Sequence, residues 1–571
     1  MLYDFILENG RIVDGTGGKP YLGDICVSNG KIAAVFPADS LDANSALSKA
    51  SQVYDVHGAY ITPGFIDIHR HADVNLFTKD FGKPELHQGL TTIINGNCGL
   101  SVVPCPPQYR NDIYTMLQPV IGEVPADKEF SDFEEYMGLV KKQPLPLNVG
   151  MDIGNGTVRA AVRGYRPGKL TREEVKEAQD YIRSSLKAGA LAVTLGIVYS
   201  PENCYDKDDF VEVLKPMTEF DVPLVTHIRG EGDLFLESLE EVIYIAKKLS
   251  VHLHVSHFKC IGKRNWGHVT RQARALLDKV RKEGLPVTCD VYPYTAGSTQ
   301  LIQILPPEYI EGGAPGIVSR LKNPVLRKEL REILSKPSDT FENLVSSIGW
   351  ENIRMSTLTL PEHAPYSGKS ITEIAKMQGK DPFDCACDML IAEECRISMV
   401  DFIVSEEDIR ENLQYPYSAI ISDSVYPTGG VWHPRLFAAF PKVLKEYVHD
   451  EPVLTIENAI RKMTGFPADI YHLKGKGYLK EGFDADINVF SLENISPKAT
   501  YENPNQFSSG FDYIFINGQL VLKDDCLTDA LAGQVILASD KDSKAYNRLT
   551  PCSLAYSTTS GFQIEDCTSP M

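Results

Sequence analysis

The 12 cysteines of this 571-residue chain are scattered and form no CxxC pair. No run of about 18 uninterrupted apolar residues occurs, so membrane insertion is not expected. The N-terminus, Met1-Leu2-Tyr3-Asp4-Phe5, lacks a basic region followed by an apolar core, so no export signal is read there. Positive charge is in deficit: 57 Lys and Arg stand against 76 Asp and Glu, a formal net charge of −19. That balance argues against nucleic acid and anionic membranes as partners and for a soluble enzyme. The expected location is a reducing cytoplasm with mostly free thiols. Cys385-Ala386-Cys387, with Cys395 nearby, lies in a helical-looking segment where i and i+2 do not share a face, and is read as packing. A chain of this length can bury a large core without disulfides, and a barrel with a satellite domain is expected.

What the chain does have is concentrated in Gly64-Phe65-Ile66-Asp67-Ile68-His69-Arg70-His71. Side chains at i and i+2 of a strand share a face, so His69 and His71 can reach one cation. Pro63-Gly64 punctuates the entry, and the apolar run that follows suits a parallel strand buried on both sides. Two ordinary strand-end histidines would look the same, so further ligands are needed. Three later segments offer them. Gly89 to Gly99 is a β-rich run ending in Asn97-Cys98-Gly99; Asp221 to Gly230 is a Pro-led apolar strand ending in His227; Val251 to Lys259 puts His252 and His254 on one face and His257 at the carboxyl end. Cys98 could equally be a small buried hydrophobe and His227 a hydrogen-bonded strand end. Five such residues at equivalent strand ends point to a metal, because barrel active sites are built from strand-to-helix loops. His252 and His254 are read as structural.

Around these segments the pattern is that of an α/β chain. Short strands broken by turns occupy residues 1 to about 62, with Asn29-Gly30 as a hairpin cue. The same texture returns at Ala485–Phe490 and Tyr513–Leu522, so the two ends are expected to complete one small β-sandwich. Between them strands alternate with helices, as in βα units. Arg172 to Gly189 carries Val175, Ala178, Ile182 and Leu186 on one face, and Val269 to Gly284 repeats the pattern. The expected division is 1–62 plus 467–535 as the sandwich and 63–466 as a (β/α)8 TIM-like barrel. An insertion is placed at about 306–350 and a C-terminal extension at 536–571.

These residues resemble the amidohydrolase superfamily and, within it, the D-aminoacylase (N-acyl-D-amino-acid deacylase) family. The similarity runs to about residue 525 through GFIDIHRH, QGLTTIINGNCG, THIRGEG, HVSHFK, DVYPYTAGST, ISDS, HPR and AIRKMTGFPA. The cysteine of NGNCG is the specific marker, since most two-metal members place a carbamylated lysine or a glutamate there. The resemblance implies a tight zinc site at Cys98, His227 and His257. It implies a second, weaker or empty metal position flanked by His69 and His71 and shared with Cys98. Asp423, in Ile421-Ser422-Asp423-Ser424, matches the catalytic aspartate, although alone it would pass for a turn carboxylate. Lys259, Tyr292, Ser298 and Arg435 match substrate-pocket positions where an anionic group would be held, and a planar guanidinium suits a carboxylate.

The implied reaction is zinc-dependent hydrolysis of N-acyl-D-amino acids, with Asp423 as general base and then general acid. The Cys98 thiolate is read as a ligand, not a nucleophile. The alternatives are hydrolysis of cyclic amides or of D-residue-containing peptides on the same scaffold, and a non-catalytic scaffold protein. No basic residue around Ala296 to Ile302 is placed to read an acidic side chain, which leans toward neutral or apolar D-amino acids.

Overall fold

The computed structural model describes residues 3–38 and 50–538. Strands β1 (Phe5–Ile12), β2 (Tyr21–Ser28) and β3 (Lys31–Pro37) form an antiparallel run. Its β2–β3 hairpin turns on Asn29 and Gly30, both with positive φ (54° and 73°), as a tight two-residue turn between twisted strands requires. Strands β4 (Val53–Asp55) and β5 (Tyr60–Pro63) add to β1 in parallel.

The barrel begins at β6 (Phe65–Asp67) and proceeds through β7 (Leu90–Asn95), β8 (Asn148–Met151) and its continuation β9 (Ile153–Gly154). Strands β10 (Val193–Gly196), β11 (Leu224–His227), β12 (Leu253–Val255) and β13 (Val287–Val291) follow. The chain then leaves the barrel. Strands β14 (Ala296–Gln300), β15 (Ile353–Thr357) and β16 (Ser398–Phe402) make a small antiparallel sheet. Between β14 and β15, helices cover Gly313–Lys322, Pro324–Leu334 and Leu344–Ile348, where the insertion is expected. Strand β17 (Ser418–Ile420) then pairs with β13.

Neighbouring barrel strands are all parallel. Closure runs through the segments just beyond β6 and β17: Asp423 N donates to His69 O (3.1 Å) and His71 N donates to Ser424 O (3.0 Å). The strands are buried almost throughout, the behaviour of a parallel sheet covered on both faces. The covering helices are amphipathic as read: Arg172–Lys187 is held by a Thr171/Glu174 capping box and buries Ala178, Ile182 and Leu186. His268–Lys282 buries Thr270, Ala273, Leu277 and Val280. The fold is a TIM-like (β/α)8 barrel carrying a β-sandwich from both chain ends.

That second layer is completed by β18 (Ile487–Phe490), β19 (Phe511–Ile516), β20 (Gln519–Lys523) and β21 (Cys526–Leu527). The strand order is β21-β20-β19-β18-β5-β1-β2-β3. β1 and β19 are three positions apart in it, yet Phe5 and Phe515 stack at 4.5 Å. The sheet therefore curls onto itself around a core of its own that includes Leu7, Ile25, Ile61 and Ile487. Beyond β21, residues 534–536 bond to Val149 of β8. Of the expected C-terminal extension, residues 539–571 lie outside the described residues.

No helix among the described residues is long and apolar enough to cross a membrane. The ten cysteines among them are all unpaired. Cys385 and Cys387 are buried in the helix Pro382–Ala392, in keeping with a packing role.

A candidate metal centre at the carboxyl end of the barrel

His69 and His71 lie two and four residues past β6, both buried, their rings 5.5 Å apart. Arg70 between them is turned the other way, as the period of two requires. Cys98 lies three residues past β7, His227 ends β11, His257 lies two residues past β12 and Asp423 three past β17. Cys98, His257 and Asp423 all have positive φ (55°, 35° and 53°). L-residues avoid this region unless their surroundings hold them there, and such strain clusters at functional sites.

The donor atoms converge. His69 Nε2 stands 3.2 Å from Cys98 Sγ, which is 3.5 Å from His257 Nε2. Asp423 Oδ1 lies 3.4 Å from His69 Nε2 and 3.6 Å from His71 Nε2. The rings of His227 and His257 are 4.4 Å apart. Three overlapping groups result, each with ligand atoms within 4.8 Å: His69, Cys98 and His257; His69, His71 and Asp423; His227, Glu231 and His257. Tetrahedral N and S ligands at about 2.0–2.3 Å from one ion stand roughly 3.5 Å from each other, so the spacing fits zinc. The set supports one or two zinc sites.

The electrostatics agree. Burial would push the Cys98 thiol up, yet His69 and His257 beside it bring it well below the usual thiol range. Burial disfavours a charged His69, but Cys98 and Asp423 raise it well above the ordinary imidazole. Burial and Lys259 oppose protonation of His257, which Glu231 and Cys98 nevertheless lift to about 9. Asp423, against the effect of burial, is held well below the usual carboxylate range by Arg435 and His69. The thiolate and the carboxylate are thus balanced by protons held on His69 and His257, the place a divalent cation would take over.

Two carboxylates that sequence reading did not single out orient these ligands. Glu231 Oε1 lies 2.9 Å from His257 Nδ1, and the Glu231 carboxylate accepts from Lys259 Nζ at 2.7 Å. Burial raises Glu231, but Lys259 and His257 hold it down at about 2. Asp290 Oδ2 is 2.9 Å from His254 Nε2 and 3.5 Å from His69 Nδ1, and Oδ1 accepts the backbone N–H of His257. The Glu231 carboxylate at the remote ring nitrogen of His257 favours the tautomer that offers Nε2 to a metal, whereas His69 Nδ1 has no hydrogen-bond partner. His252 and His254 both bond Thr288 Oγ1 at 2.8 Å, a structural role that His254 extends through Asp290.

A cavity opens over the centre, and Lys259, Tyr292 and Ser298 line it with Tyr199. Tyr292 Oη and Ser298 Oγ are buried without a hydrogen-bond partner. Arg435 is fully buried and is not on the cavity wall; its Nη1 lies 2.9 Å from Asp423 Oδ2 and its Nη2 donates to Ser298 O at 3.2 Å.

No family model matches the chain. It is 28% identical over 534 residues to the D-aminoacylase of Alcaligenes xylosoxydans xylosoxydans, covering 94% of this chain and 97% of the relative. It is 27% identical over 517 residues to the N-acyl-D-glutamate deacylase of the same organism, covering 90% and 93%. Among solved structures it matches the N-acyl-D-glutamate deacylase of Bordetella bronchiseptica, determined with zinc and a phosphonate mimic of the tetrahedral intermediate. That match has a TM-score of 0.78 and 28% identity, covering 94% of this chain and 100% of the other.

Proposed function

We propose that this relative of the D-aminoacylases, within the metal-dependent amidohydrolase superfamily, cleaves the amide bond of N-acyl-D-amino acids to a carboxylate and a free D-amino acid. The observation that carries this reading is the Cys98 sulfur set between the Nε2 atoms of His69 and His257, with the Asp423 carboxylate facing the same space. In this reading Cys98, His227 and His257 hold the tight zinc, and His69 and His71 flank the second position. Zinc, when bound, supplies Lewis acidity that brings the pKa of water to about 7 and stabilises negative charge developing on oxygen.

The protein's own groups do the rest. Asp423 Oδ1 takes the proton of the attacking water and later delivers it to the departing amine nitrogen, and the pairing of Oδ2 with Arg435 fixes its orientation. Tyr292 and the open Ser298 hydroxyl hold the substrate carboxylate, with Lys259, paired with Glu231, adding positive field beside them. Arg435 acts through Asp423 and adds positive field to the carboxylate site. Residues 63–466 form the catalytic barrel, with 1–62 and 467–535 as its sandwich. The unpaired thiols fit a reducing cytoplasm.

The test is amine release from matched N-acetyl-D- and N-acetyl-L-amino acids by the zinc-loaded chain, with Asp423→Asn as control. Release from D-substrates only, lost in the variant, is expected. Zinc binding without release from any of them would shift the reaction to cyclic amides or D-residue-containing peptides.

A further inference from the structure

The cavity wall is acidic. Among the described residues lining it, Lys259 is the one Lys or Arg, whereas Glu231, Glu342, Asp401 and Asp423 are carboxylates. Two of these four are matched: Glu231 by Lys259, Asp423 by Arg435. Glu342, from the inserted segment, accepts the backbone N–H groups of Glu231 and Gly232 (3.1 and 2.6 Å). Asp401 differs from all of them. It is 3% exposed, and its Oδ1 is buried without a hydrogen-bond partner. A buried carboxylate oxygen with no donor is costly unless a ligand supplies one.

Its surroundings leave room for that donor. Asp401 on β16 faces Gly297 on β14. A Cβ at position 297 would stand 3.0 Å from Asp401 Oδ1 and 3.6 Å from Tyr292 Oη, so the glycine keeps this corner open. Ile261, Ile403 and Leu344 line the same cavity. Apolar walls with an acceptor at the end suit a side chain that has a methylene stem and a polar head.

We propose that Asp401 anchors a side-chain subsite that selects D-residues ending in a hydrogen-bond donor, cationic ones first, and disfavours acidic ones. This rests on the deacylase reading and separates the chain in substrate class from its D-glutamate-specific relative. The apolar walls give the neutral side chains expected from the sequence a place as well, but the acceptor ranks the donor-bearing ones above them.

The test compares kcat/KM of the zinc-loaded full chain for N-acetyl-D-lysine, N-acetyl-D-norleucine and N-acetyl-D-glutamate, in the native protein and in Asp401→Asn. A charge-assisted hydrogen bond in a desolvated site predicts a lysine-over-norleucine ratio of about tenfold or more, reduced about tenfold by the substitution. Glutamate should be the poorest substrate of the native protein. Norleucine cleaved as fast as lysine by the native protein, or a ratio unchanged in the variant, would overturn the subsite and leave the deacylase reading standing. Should Asp401→Asn not fold, the native panel decides alone. Hydrolysis of no N-acyl-D-amino acid would remove both.

Discussion

Two buried clusters of charged and polar side chains grow from adjacent residues of one segment, and they are built on opposite principles. Arg70 carries its own cation into the protein. Its Nη2 donates to Glu85 Oε1 (2.7 Å), Nη1 to Asp67 Oδ2 and Ser422 Oγ (both 3.1 Å) and Nε to Tyr426 Oη (3.0 Å). His69 and His71, one residue to either side, bring imidazole nitrogens to the Cys98 sulfur and the Asp423 carboxylate. The first cluster brings its own cation as the chain folds, with Glu85 Oε2 the one carboxylate oxygen in it left without a hydrogen bond. The second is a set of ligands that have in common only a cation the chain does not supply. A buried charge cluster is a structural element when its partners are all covalently present and a binding site when they are not.

Removing metal should separate the two most sharply. Dialysis against a strong chelator is expected to abolish amide hydrolysis, with recovery on adding zinc, while near-ultraviolet circular dichroism keeps the signature of a packed core. Loss of that signature on chelation would mean that zinc also holds the fold. Asp423→Asn should lower kcat about 10²- to 10⁴-fold, with zinc content by elemental analysis unchanged. A parallel loss of zinc would make Asp423 a ligand first.

Attacking the other cluster should do the reverse. Arg70→Met leaves Asp67 and Glu85 buried without their cation, at a cost of about 3–5 kcal/mol in a urea titration. The folded fraction should still bind zinc. Glu231→Gln, which weakens the hold on His257 and Lys259, should lower kcat/KM about tenfold, as loss of an orienting partner does. A change confined to KM would place Glu231 with substrate rather than metal.

The smallest effect concerns Asp401, whose carboxyl burial raises to about 6, with Lys259 and Arg435 opposing and Glu231 adding. A raised carboxyl is ionised above that value and neutral below it. The lysine-over-norleucine preference should therefore be full at pH 8 and shrink as pH falls through about 6, with norleucine as the internal reference across the profile.

Much of this centre was legible in the chain because a parallel strand imposes a period of two and delivers its last residues to one end of the barrel. His69, His71, Cys98, His227 and His257 all sit within four residues of a strand end, where pattern reading looks; Asp423 lies three past one, but alone it reads as a turn carboxylate and only the family resemblance singles it out. Glu231 falls within THIRGEG, where nothing in the sequence assigns it a role. It lies in a loop, where no period says which way a side chain turns, and only the fold sets it against His257. Asp290 alternates with the apolar Val287, Cys289 and Val291, a pattern that alone reads as an outward carboxylate; only the closed barrel turns that face inward and sets it against His254. Asp401 had no signal in the sequence, because β16 belongs to a small sheet outside the barrel and its approach to Gly297 and Tyr292 joins segments about a hundred residues apart. Arg435 shows the limit of a residue type: a guanidinium suited to a carboxylate has taken one from the protein, Asp423.

The terminal sheet carries a consequence for the order of synthesis. β5 pairs with β1 on one side and with β18 on the other. At about 5–20 residues per second, β5 waits roughly 20–90 s on the ribosome before β18 exists. For that interval the nascent chain presents an open strand edge and the unpaired apolar face of β1 and β2, the kind of surface that recruits chaperones and nucleates aggregates. The strands that complete the sheet in the finished protein are thus open to another chain while it is being made.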